Sequence, residues 1–102
     1  MKKSYIFIYN PSLGTHEEVK KFIDSCSEIT TWRFELANTY FFVSEKSAEE
    51  LYELVAAHLG EGKGTFIITE YADNSQGLLS ERSWYLLNNK RLPPRTKPIE
   101  ND

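Results

Sequence analysis

At 102 residues, with 40% hydrophobic, 26% charged and 14% aromatic side chains, the chain has the composition of one compact domain, which excludes a disordered or low-complexity polymer. A formal charge of -3 gives no general attraction for polyanions, and no apolar run approaches the roughly 20 residues that cross a bilayer, so a cytoplasmic protein with no membrane partner is expected. The single Cys26 excludes an internal disulfide.

The first predicted strand is Tyr5 to Tyr9, all β-branched or aromatic. It stops at Asn10-Pro11, because proline lacks the ladder donor and asparagine suits a turn. Thr15 followed three residues later by Glu18 is a capping box, and Val19, Phe22, Ile23 and Cys26 continue it as the apolar stripe of a first helix. On that stripe Cys26 reads as a small buried hydrophobe, not a redox centre. Trp32, Phe34 and Leu36 alternate with Thr31, Arg33 and Glu35, the pattern of an edge strand with one wet face. Ala37-Asn38 then turns the chain into Thr39 to Val43, whose successive apolar residues predict an interior strand covered on both sides. Ser47 and Glu50 repeat the capping box ahead of a second helix, with Leu51, Leu54, Val55, His58 and Leu59 on its stripe and Gly60 as its stop. After a flexible turn from Glu61 to Gly64, Phe66 to Ile68 supply a fourth strand. Asp73 to Gly77 read as a loop, and Ser80 caps a short helix with Trp84 and Leu87 on one side; a fifth strand is the less well patterned alternative.

The order βαββαβ predicts an α+β, ferredoxin-like sandwich over residues 1–88, an antiparallel sheet with both helices on one face. Residues 89–102 form a separate Pro-rich, charged tail in which Lys90, Arg91, Arg95 and Lys97 alternate with Pro93, Pro94 and Pro98. Such a segment suits a nucleic-acid backbone, gripping phosphates without reading sequence; a solvated tail, or one docked on a partner subunit, is the competing reading. Strands one, three and four are apolar on both sides, so the sheet face away from the helices needs a cover. A twofold homodimer through Ile6, Ile8 and Asn10 is the expected cover, with a folded-back C-terminal segment as the competitor.

The strand ending Tyr9-Asn10, the Trp32 to Tyr40 hairpin, the helix opening Ser47-Ala48-Glu49-Glu50-Leu51, and Gly77-Leu78 followed by Trp84 and Leu87 resemble small bacterial proteins related to the second CRISPR-associated protein, a group that includes the virulence-associated protein D toxins. The resemblance covers about the first 87 residues. It implies a ferredoxin-like dimer packed sheet against sheet, in a nucleic-acid context such as mobile-element or phage defence. In the nuclease members an Asp at the end of strand one gathers a divalent cation at the dimer seam, and Asn10 is the matching position here. An amide offers one uncharged oxygen where magnesium prefers carboxylates, so a catalytically degenerate binding or assembly module without a cofactor is expected. The alternative is a magnesium- or manganese-dependent endonuclease or ribonuclease in which Glu35, Glu70 or Asp73 supplies the missing carboxylate. Elsewhere, His58 reads as a hydrogen-bonded core or interface residue, and His16 as an exposed residue of the first helical turn. Gly60, Gly62 and Gly64 lack the continuation of a phosphate loop. Aromatics on strands one and three occur also in RNA-recognition sheets, but no cations surround them, and core packing is the expectation.

Overall fold

The computed structural model describes residues 1–94, so Arg95 and Lys97 of the basic cluster lie outside the described residues. In chain order the elements are β1 (Lys3–Tyr9), α1 (His16–Ser25), β2 (Ile29–Phe34), β3 (Thr39–Ser44), α2 (Ala48–His58), β4 (Phe66–Glu70) and α3 (Glu81–Asn89), with single 3-10 turns at Pro11–Leu13 and Gly60–Gly62. The strands form one antiparallel sheet in the order β2-β3-β1-β4. The fold is mixed α+β and compatible with a ferredoxin-like arrangement.

Helix starts are decided locally. Thr15 Oγ1 accepts from the Glu18 amide at 3.1 Å while Glu18 Oε1 accepts from the Thr15 amide at 2.8 Å. Ser47 and Glu50 repeat the exchange at 3.1 and 2.9 Å, so each box satisfies two amides that have no partner inside the helix. Asn38 takes the left-handed φ of 56° that the β2–β3 turn requires.

On the first sheet face, Tyr5 and Phe7 of β1 sit across from Phe42 and Tyr40 of β3, and Phe7 and Tyr9 sit across from Ile68 and Phe66 of β4. Val19 and Ile23 of α1 and Leu51 and Val55 of α2 close over them, so both helices share this face. Two hydroxyls inside this core, those of Tyr9 and Tyr40, have no hydrogen-bond partner among the described residues. Burial, with neighbouring Tyr9 adding to it, pushes the Tyr40 hydroxyl up to about 12. An orphaned buried hydroxyl costs stability, so chemical denaturation should find Tyr40→Phe more stable than the parent by about 1 kcal/mol. A loss of that size would mean that the hydroxyl has a partner.

The opposite face is already roofed by the chain itself. Leu86 and Leu87 of α3 are buried against Phe41 and Val43 of β3, with Ile6, Tyr71, Leu79 and Trp84 packed around them. Ser4 Oγ donates to the Leu87 carbonyl at 2.7 Å, and the Tyr71 hydroxyl donates to Asn88 Oδ1 at 2.9 Å. The chain therefore leaves β4 beside the start of β1, crosses the second face through residues 71–80, which bend at 73–74 and have no regular secondary structure, and returns along α3. Of the two covers expected for this face, a second copy through Ile6, Ile8 and Asn10 or a folded-back C-terminal segment, the chain itself supplies the second. Ile6 packs against the chain's own C-terminal helix, because α3 brings an apolar side and a buried Ser83 whose hydroxyl is satisfied there. What stays open is a corner: Ile8 at 46% exposure, its cross-strand neighbour Ile67 at 59%, and Leu36 and Leu78. A stable dimer interface takes roughly 20–30 residues a side, far more than this corner offers alone.

Among the described residues no helix is long and apolar enough to cross a membrane. The predicted domain end at residue 88 falls in the last turn of α3, whose C-cap, Lys90, takes a left-handed conformation.

Candidate functional site

Asn10 follows β1 directly and has a structural task. Its Oδ1 accepts from the Ser12 amide at 2.8 Å and so caps the Pro11–Leu13 turn. The turn is held from the other side as well: the Thr65 amide donates to Ser12 Oγ at 3.3 Å, and a Cβ on Gly64 would lie 2.5 Å from Leu13 Cα, so only glycine fits there. The carboxylates expected to replace the missing Asp are not gathered here. Glu70 pairs with Tyr5, five residues and about 17 Å up β1 from Asn10, and Asp73 lies past it. No cluster of three or more His, Cys, Asp or Glu able to hold a metal occurs among the described residues. The described residues thus do not fit a divalent cation at Asn10.

Glu35, the remaining carboxylate candidate, does something sequence reasoning missed. It sits just past β2 on the second face and holds the head of α3. Its Oε2 accepts from the Ser80 amide at 2.8 Å, and its Oε1 accepts from the Ser80 hydroxyl at 2.8 Å and from the Ser83 hydroxyl. Arg33, two residues earlier on the same face, donates from Nε to Ser83 Oγ at 2.8 Å and from Nη2 to Ser80 Oγ at 3.2 Å. Each hydroxyl gives its proton to the carboxylate and accepts from the guanidinium, so the cluster is internally consistent. The Ser83 hydroxyl, then the Ser80 groups and the Arg33 charge, hold the Glu35 carboxyl below the usual range. The signal was present in the alternation of β2, which puts Arg33 and Glu35 on the face shared with Phe41 and Val43, the face in need of a cover.

Beside this clamp opens an apolar cleft of about 240 Å³. Ile6, Ile8 and Phe41 of the sheet line it together with Leu36, Leu79 and Trp84, and the exposed Leu78 stands at the same place. A hollow of about 420 Å³ near the end of α2 is larger, but two of its polar side chains are committed elsewhere. Glu18 belongs to the capping box, and His58 Nδ1 donates to the Leu54 carbonyl at 2.8 Å. His58 is exposed on the helix surface with its ring against Phe22, and so lies outside the core. His16 is exposed as expected and lies 4.7 Å from the Phe34 ring. Cys26 is half-buried at the end of α1, and burial pushes its thiol up, away from reactivity. Of the predicted basic cluster, Lys90 and Arg91 are exposed beyond α3, with the Arg91 guanidinium 5.7 Å from the Tyr85 ring. No protein-family model, curated protein or solved structure matches this chain.

Proposed function

We propose that the chain is a catalytically degenerate binding or assembly module, built on a ferredoxin-like βαββαβ core with a third helix added, and working in a nucleic-acid context. In support of that core, the antiparallel order β2-β3-β1-β4 makes β1 parallel to β2 and β3 parallel to β4, each pair spanned by a helix on the first face. The observation that carries the functional reading is the commitment of Asn10 and Glu35 to architecture, together with an apolar cleft that opens to solvent beside the Glu35 clamp. The cleft is a place for an apolar side chain of a partner polypeptide. The nucleic-acid context rests on the resemblance and on exposed Lys90 and Arg91, which begin the run that continues to Arg95 and Lys97.

Labelled DNA and RNA incubated with magnesium or manganese should stay intact. They should stay intact with Asn10→Asp as well, since aspartate keeps the capping oxygen but gains no second carboxylate nearby. Metal-dependent cleavage that disappears in a Glu70→Ala, Asp73→Ala double variant would establish the nuclease alternative instead. In fluorescence anisotropy the same strands should bind at low salt, release as salt rises, and bind less tightly once residues 90–97 are deleted. A flat signal at low salt removes the nucleic-acid context and leaves the polypeptide partner.

A further inference from the structure

β4 forms one edge of the sheet, and register decides which of its backbone groups face outward. The Asn10 amide donates to the Thr65 carbonyl at 2.9 Å, and the Tyr71 amide donates to the Ser4 carbonyl at 2.9 Å. Between those two points Ile67 and Thr69 turn their N–H and C=O groups toward β1, so Phe66, Ile68 and Glu70 turn theirs away from the sheet. The strand has few of the devices that usually blunt an edge, its one charge, Glu70, standing at its last position. It contains neither proline nor lysine, and its pairing with β1 runs without a bulge. The other edge, β2, is different: it is bulged between Ile29 and Thr31 and carries Arg33, with Glu35 just beyond. Exposed apolar groups also flank β4 on both faces. Ile67 lies beside Ile8 on the second face, and Tyr52, 54% exposed, stacks on Phe66 at 5.5 Å on the first.

We infer that β4 is the docking strand for a second copy of this chain, the two β4 strands pairing antiparallel about a twofold axis to make one continuous sheet. Centred on Ile68, that pairing sets Phe66 of one copy against Glu70 of the other and Ile67 against Thr69. No like charges then oppose each other, and the outward donors and acceptors at positions 66, 68 and 70 meet those of 70, 68 and 66 in the other copy. A twofold pair consumes both bare edges and leaves only the bulged β2 edges outside, so growth stops at two copies, whereas β4-to-β2 pairing would propagate into fibres. The inference extends the assembly reading above to a surface outside the cleft. Loss of cleft binding leaves it standing, and the converse holds too.

Sedimentation velocity on the full chain, from dilute to concentrated solution, combined with amide hydrogen exchange at both ends of the series, tests it. The expected result is a concentration-dependent dimer in which the amides of Phe66, Ile68 and Glu70 exchange at least about tenfold more slowly when concentrated, while those of Ile67 and Thr69 are slow throughout. Ile67→Lys places a charge on the exposed edge without touching a buried residue, and Glu70→Pro removes one outward donor. Both should stay monomeric at every concentration with the parent's circular dichroism. A monomer throughout for the parent overturns the inference. So does a dimer whose Phe66, Ile68 and Glu70 amides exchange as in the monomer, a result that would move the contact to the corner at Ile8 and Leu36.

Discussion

Replacing Leu86 by alanine should lower the unfolding free energy by about 3 kcal/mol, measured by urea denaturation. Leu86 is fully buried, packs with Phe41 and Val43, and belongs to the helix turn whose carbonyl groups receive the Ser4 hydroxyl. Truncating it removes the burial of the side chain and leaves a cavity that the strands, held in register on both sides, cannot collapse to fill. Leu78→Ala is the control: the residue is 97% exposed and its loss should change stability by less than about 0.5 kcal/mol. If both substitutions were equally mild, α3 would be an appendage and the second face would be open after all.

The second large effect is expected at Glu35. Hydrogen bonds to a charged acceptor are the stronger kind, but the carboxylate is only half-buried, so Glu35→Ala should cost about 2 kcal/mol and not the sum of its contacts. The effect depends on pH with a definite sign. The folded protein holds this carboxyl below its usual range, so between the folded and unfolded values the unfolded chain binds more protons, and stability rises with pH there. The contribution is complete above the unfolded value of about 4.3 and disappears as pH falls through the folded one. Glu28, through the Cys26 thiol, and Glu50, through the Ser47 amide, are lowered as well and share the acid slope. Subtracting the curve of Glu35→Gln from that of the parent isolates Glu35. The gap should narrow as pH falls below the unfolded value of about 4.3 and close once the folded carboxyl is protonated; a gap constant down to strong acid would mean that the clamp does not depend on the ionised carboxylate.

Much of the fold was legible because it is local. Both capping boxes, the continuous apolar run of β3 and the Ser80 start of α3 involve residues within a few positions of one another, and those elements form where their patterns place them. The β2 face that reads as wet instead lies under α3, with Arg33 and Glu35 half-buried while Phe34 and Leu36 are exposed. What escaped was where α3 docks. Its apolar side announces burial somewhere, yet the groups that position it, Arg33 and Ser83, are separated by 50 residues, and a half-polar strand face does not say which polar partner it will meet. For the same reason Glu35, offered as a substitute metal ligand, gave no sign of the helix it clamps 45 residues on, whereas the cap that Asn10 makes is local, two residues away. The bare edge at β4 needed the ladder register, which no single strand reveals.

The account rests on α3 covering the second sheet face of its own chain. Isotope-filtered NOE spectroscopy on an equimolar mixture of labelled and unlabelled protein tests this directly, through contacts between the Leu86 and Leu87 methyls and the Val43 methyls and Phe41 ring. Those contacts should appear within a labelled chain and stay unchanged on dilution. Their absence, or their appearance only between labelled and unlabelled chains, would contradict the account and return the face to a partner.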